Sequence, residues 1–244
     1  MATVSDGVTL VRERINELTA AHWTDNQLKR WLNEGCRDFT RRTLCVLDRF
    51  TIDITADVNE YSLTSATTIA NLLSAVTGIN ASHILRIDRV EWLPGDDRVV
   101  PLSPVDYDSM DALWGSYQDS NSGDPAVYTT WGNPPFIALK IYPAPSITSD
   151  LRIFCRRLSR PISTSDTTQV VDVPEGWEDA VWDYTAYRAL QNDHDPAWQQ
   201  YFSSYESRVL QGIDSINDYT RAQEGLVPDG IFGAPAWLVY PGYD

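Results

Sequence analysis

The chain has 244 residues, 34 of them acidic and 19 basic, for a formal charge of −15 at neutral pH. That length can bury a sizeable core without disulfides or metals. The charge excludes a chain-wide electrostatic grip on nucleic acid, and three cysteines without CxxC spacing, Cys36, Cys45 and Cys155, argue against a disulfide framework or a zinc site.

Val4, Val8, Val11, Ile15 and Leu18 recur at helical spacing and predict an amphipathic first helix. Thr24 and Gln27 stand at capping-box spacing and open a second helix with Leu28, Trp31, Leu32, Cys36, Phe39 and Leu44 on its apolar side. Arg41 and Arg42 fall near its end, where cations complement the helix dipole. These N-terminal helices occupy residues 1–48.

Residues 49–172 read as a β-rich middle domain. Arg49–Thr55, Glu60–Leu63, Ile84–Leu93, Ala126–Trp131, Phe136–Tyr142 and Leu151–Leu158 alternate apolar and polar side chains, as half-buried antiparallel strands do. Gly95-Asp96-Asp97 predicts a hairpin turn leading into Val99–Leu102, and Ser103-Pro104 predicts the cap of a short helix through Met110 to Trp114. Residues 64–81 and 116–124 carry no such pattern and are expected to be exposed. Arg156, Arg157 and Arg160 follow the last strand. A solvated face and a set of intersubunit charge contacts both account for them.

Residues 173–223 read as a helix pair. Trp177, Val181, Tyr184, Thr185 and Arg188 form one packing stripe, broken near Asn192-Asp193-His194. Asp195 then caps a new helix with Pro196 at its first position. Its stripe is Trp198, Phe202, Tyr205, Val209, Gly212, Ile213 and Ile216, over roughly six turns of about 3.6 residues. So short a connection makes the two helices antiparallel, and the N-terminal pair is their natural partner. The expected fold class is α+β: an antiparallel helical bundle formed by the N- and C-terminal helices, an inserted antiparallel β-rich domain, and an extended C-terminal arm.

Residues 224–244 are that arm. Proline and glycine at their density there oppose helix and central strand alike, yet the segment is too rich in aromatic and branched side chains for an ordinary solvated tail. It reads as an element that docks on another protein, with Phe232, Trp237, Leu238, Val239 and Tyr240 as anchors. A tail folded back on its own domain remains open.

Catalytic signatures are missing from the sequence. It holds no HExxH, GxSxG, GxxxxGK[ST] or GxGxxG, and His22, His83 and His194 fall in separate elements, so no catalytic, cofactor-binding or metal set is assigned. Paired carboxylates are harder to exclude among 34 acids, which leaves a cell-wall (peptidoglycan) hydrolase or a sugar- or receptor-binding module as the alternative. Trp31, Trp177 and Trp198 fall on helix stripes, however, where core packing accounts for them. The N-terminus has no apolar run of signal-peptide length, and no segment approaches the roughly 18 apolar residues of a membrane span.

The order of these elements resembles the head-to-tail adaptor proteins of tailed bacteriophages. The likeness rests on Trp23 with Leu28 to Phe39 (LKRWLNEGCRDF), on Tyr61-Ser62-Leu63 leading towards Ile84-Leu85-Arg86-Ile87, on Gly123 to Tyr128 followed by Ile137 to Pro145 (IALKIYPAP), and on the Trp177 to Asp193 helix before a second long one. It spans residues 20–220, and Gly35 stands where the family often has Ala. The resemblance implies a structural virion protein made in the host cytoplasm, without a cofactor. It implies a ring of about twelve copies under the portal, a central channel that genomic duplex DNA crosses without sequence-specific binding, and an attachment platform for downstream tail or nozzle proteins. It also implies that the arm reaches the portal or a neighbouring subunit. An acidic channel wall would let a duplex slide where a basic one would hold it. Solubility of an abundant protein explains the charge as well.

Overall fold

The computed structural model describes residues 2–17, 22–63, 79–95, 97–114, 122–133, 136–166 and 168–224. In chain order the elements begin with helices α1 (Val4–Arg14) and α2 (Asp25–Thr43), then strands β1 (Leu47–Ile54), β2 (Glu60–Leu63), β3 (Ile84–Leu93), β4 (Val100–Pro101) and β5 (Ser103–Pro104). Helix α3 (Tyr107–Trp114) follows, then β6 (Ser122–Gly123), β7 (Val127–Asn133), β8 (Phe136–Tyr142), β9 (Ala144–Pro145) and β10 (Ser149–Arg157), and last helices α4 (Glu178–Asn192) and α5 (Trp198–Glu224). The chain divides into two compact units, one made of residues 1–46 with 161–244 and the other of 47–160. The fold is mixed α+β.

In the helical unit, capping chemistry sets the starts. Thr3 and Asp6 form a reciprocal capping box at α1, and Thr24 with Gln27 does the same at α2, satisfying backbone donors that a helix N-terminus leaves orphaned. Helix α1 stops at Arg14, short of the expected Leu18, which lies outside the described residues. The stop has a cause: the chain turns through Asn16 at φ 55°, and the backbone N–H of Glu17 reaches back to the carbonyl of Arg12 at 2.8 Å. Leu44 is the left-handed C-cap of α2 at φ 55° rather than a member of its apolar stripe.

Helix α4 corrects the expectation of a single packing stripe. Ala180, Val181, Trp182, Asp183, Thr185, Ala186, Ala189 and Leu190 are all buried, which no one face of a helix can hold. The reason is position, since α4 packs against α1, α2 and α5. The core around it contains Val4, Val8, Val11, Leu28, Leu32, Phe39, Trp182, Tyr205 and Val209. Three glycines permit the close crossings, and a Cβ on Gly7 of α1 would run into the Trp182 ring of α4. A Cβ on Gly35 of α2 would stand 2.8 Å from Cδ1 of Tyr184, and one on Gly212 of α5 would stand 2.9 Å from Cγ2 of Thr43. The Asp195 carboxylate accepts from the N–H of Ala197 at 2.8 Å, but Pro196 stands in the turn before α5, which begins at Trp198 rather than at the expected Pro196.

Residues 161–173 belong to the helical unit because its polar groups hold them. The N–H of Ile162 donates to Asn33 at 2.9 Å, Lys29 donates to the carbonyl of Thr164 at 2.8 Å, and the N–H of Val4 donates to the carbonyl of Gln169 at 2.8 Å. Val171 and Val173 are then buried with the helices.

The β unit pairs a sheet of order β1-β10-β3-β4 with a sheet of order β2-β8-β7-β5, and both contribute to one core. Phe50, Ile54, Val90, Trp92, Leu151 and Ile153 come from the first sheet, and Leu63, Leu139, Ile141 and Tyr128 from the second. The long strands pair antiparallel, whereas the short β5–β7 and β6–β9 pairings are parallel. Ser103-Pro104 is therefore strand β5 and not a helix cap. Asp106 takes that role at α3, accepting from the N–H of Ser109 at 2.8 Å. In the segment expected to be exposed, Ile79 and Ala81 are buried, while residues 64–78 lie outside the described residues. The turn after β3 carries Gly95 at φ 99° and Asp97 at φ 60°, and it returns the chain so that Val100 faces Trp92.

Candidate functional site

Strand periodicity decides where the arginines go. Leu151, Ile153, Cys155 and Arg157 share the core side of β10, so Arg157 is carried inward and its side chain is 1% exposed. Asp48 meets it at 2.7 Å with no exposure of its own, and the guanidinium also donates to the carbonyl of Leu158 at 2.9 Å. Arg156 points to the other side, where Asp88 accepts from its Nε at 2.9 Å, and it too is buried. A solvated face is thus the wrong account of Arg156 and Arg157. Arg160 is half-buried.

The outer face of the first sheet is a charged grid. Arg86 and Arg156 both reach Asp88, and Arg89 and Arg152 both reach Glu91. Phe154 lies among them, with the Arg89 guanidinium 5.8 Å from its ring centroid. Strand β1 closes this face at one edge with Leu47, Arg49, Thr51 and Asp53, of which Leu47 and Asp53 are exposed. Asp53 stands directly opposite Asp150 in the ladder. Burial first, and then the charge and hydrogen bond of Asp53, hold the Asp150 carboxyl above the ordinary carboxylate range. Among the described residues no cation bridges to that pair, and no acid bridges to Arg49.

Within the helical unit, charge ties helices together. Asp183 of α4 is buried and accepts from Arg14 at 2.5 Å, from Ser204 at 2.7 Å and from Arg208 at 3.1 Å, which links α1 and α5 through α4. Arg42 holds Glu206 through two hydrogen bonds of 2.6 and 2.7 Å, and that pairing keeps the Glu206 carboxyl below its ordinary value. The Tyr205 hydroxyl donates to Asp38 at 2.5 Å, and burial pushes its ionisation well up.

Other side chains are arranged for packing, with a few left outward. Burial pushes the Cys36 thiol up and the Cys155 thiol up to about 12, so neither presents a thiolate near neutral pH. His83 is buried and serves as a capping residue, its Nδ1 accepting from the backbone N–H of Asn80 at 3.3 Å in a reciprocal capping box. Among the described residues no three His, Cys, Asp or Glu side chains are grouped to hold a metal ion. No described helix is long and apolar enough to cross a membrane. Trp31 is buried and Trp177 packs on the helical core, while Trp198 is half-buried and leans on the exposed Phe202. Trp131 on β7, 65% exposed, and Leu210 on α5, 59% exposed, are outward apolar groups that periodicity did not mark. The arm anchors Phe232, Trp237, Leu238, Val239 and Tyr240 lie outside the described residues.

The model of a family described as SU10 adaptor protein matches residues 2–229, and so takes in the described parts of both units. None of the curated proteins matches the chain.

Proposed function

From the chain's membership in the SU10 adaptor protein family, a family of phage head-to-tail adaptors, we propose that its copies close into a ring of about twelve beneath the portal. The ring extends the channel through which the duplex genome passes and offers a platform to downstream tail or nozzle proteins. The observation that carries this reading is the extent of the family match, residues 2–229, which takes in both units and reaches the start of the arm. In it, α1, α2, α4 and α5 act as the structural bundle. The β unit turns its exposed side chains, Trp131 first among them, toward the next tail component.

The arm is the proposed grip. Phe232, Trp237, Leu238, Val239 and Tyr240 are of the types that dominate interface energetics, and they follow directly on a helix of 27 residues, about 40 Å long. The portal is their first dock and the adjacent subunit their second. Of the arginines at the end of the β unit, Arg156 and Arg157 hold Asp88 and Asp48 of their own unit, and intersubunit contact is kept as a proposal for the half-buried Arg160.

Native mass measurement of the chain mixed with portal tests the reading. A portal complex carrying a fixed set of many adaptor copies is the expected result. A chain that stays monomeric and unbound in the presence of portal overturns it.

A further inference from the structure

Among the described residues, strand β1 is the edge of its sheet, paired on one side only, with β10. It is eight residues long and contains no proline, so its backbone can pair along that edge, and the charges that guard it are Asp48, turned inward onto Arg157, and Arg49 and Asp53, turned outward. Its outward-facing residues are Leu47, Arg49, Thr51 and Asp53.

Charge along that face is self-complementary about Thr51. Arg49 lies two residues before it and Asp53 two residues after, about 13 Å apart along the strand. Neither is satisfied by an opposite charge among the described residues, and Asp53 stands beside a second carboxylate, Asp150, in the same row. Like charges directly opposite one another destabilise a sheet. Asp150 answers by holding its proton more tightly than an ordinary carboxyl. The arrangement lacks a cation at Asp53 and an anion at Arg49, and a second β1 running antiparallel supplies both.

We propose that two free copies of the chain pair edge to edge through β1, antiparallel and centred on Thr51, so that Arg49 of each stands opposite Asp53 of the other. In this register the two sheets become one of eight strands, doubling the four of each copy. The half-buried Ile52 of each strand comes opposite Phe50 on the core side. The contact is isologous, the same patch on both partners, as a two-fold dimer requires. It rests on the adaptor reading only in its place in assembly: a ring built from one head-to-tail contact has no two-fold axis between neighbouring subunits, so the dimer belongs to the chain before it enters the ring.

The test is the mass distribution of the free protein, without portal, across a concentration series. The wild type is expected to show a monomer–dimer equilibrium. R49D or D53R alone replaces two attractions with two repulsions and raises the dimer dissociation constant about tenfold, and the double swap R49D/D53R restores it. Circular dichroism of each variant checks the fold, and the double swap remains informative if a single variant folds poorly. A wild type that is monomeric at high concentration, single variants that dimerise undiminished, or a double swap that restores nothing overturns the proposal. So does dimerisation seen only after removal of residues 225–244, which would make the arm the occupant of this edge. Direct ring formation by the free chain overturns the dimer and leaves the adaptor reading standing, whereas failure to bind portal overturns that reading and leaves the dimer to its own result.

Discussion

At the scale of single residues, this acidic chain handles its charges by where each side chain falls in a ladder. Asp48 and Arg157 are both withdrawn from water, which is costly for each alone, and the guanidinium's second bond, to the Leu158 carbonyl, helps complete the site. Asp150 has no such compensation. A carboxyl whose folded pKa is raised favours the folded state only while protonated, and that advantage disappears as pH rises through the raised value, so at neutral pH the Asp53–Asp150 pair costs stability. The substitution D150N therefore stabilises the fold at pH 7 by about 0.2–1 kcal/mol, the scale of a cross-strand charge pair. The gain vanishes below about pH 4, where the unfolded carboxyl is protonated as well. Thermal unfolding of both proteins at the two pH values checks this, and a gain that persists in acid would contradict the charge explanation.

At the scale of elements, the helix crossings depend on missing side chains. Gly35 weakens α2 by about 1 kcal/mol relative to alanine on propensity alone, so G35A ought to stabilise if the helix stood by itself. In the folded unit the new Cβ would meet Cδ1, Cγ and Cβ of Tyr184 at 2.8, 3.0 and 3.2 Å, atoms at the root of that side chain that cannot swing aside. Overpacking of this kind costs about 1–3 kcal/mol. The expected outcome is a lower denaturant midpoint for G35A despite its better propensity, and a higher midpoint would mean that α2 and α4 stand further apart.

Sequence patterns located most elements because their causes are local. The Thr24–Gln27 box, the Asp195 turn and the strands Ile84–Leu93 and Phe136–Tyr142 are written in consecutive residues. What escaped depended on distant chain. The several-sided burial of α4 requires three other helices, the parallel pairing of β5 with β7 joins segments more than twenty residues apart, and Asp106 supplanted Ser103-Pro104 at α3 because β5 had already claimed them. Arg157 was legible and was misjudged: it follows Cys155 by two, on the same side of the strand, so the alternation that marked the core also carried an arginine into it. Of the candidate assembly surface, composition marked the arm, while Leu210 and Trp131 could be recognised as outward only once their neighbours were placed.

At the scale of the whole molecule, the arm is set apart from the rest of the chain by its composition. The described core residues of the helical unit run as far as Ile213, and those of the β unit as far as Cys155, and each set already closes on its own elements. Removing that segment is expected to leave the far-ultraviolet circular dichroism and the unfolding midpoint close to those of the full chain. If the arm is the portal grip, the same truncation abolishes portal binding. Substituting Trp237 and Tyr240 by alanine should go most of the way, since truncating a buried aromatic anchor costs 2 kcal/mol or more, about a thirtyfold loss of affinity for each. Binding by a pull-down or interferometry titration of portal separates the possibilities. Full binding without the arm assigns the grip to the folded units. A truncated chain that loses both its unfolding transition and its binding shows instead that the segment belongs to its own domain's core, which is the other account of so apolar a tail.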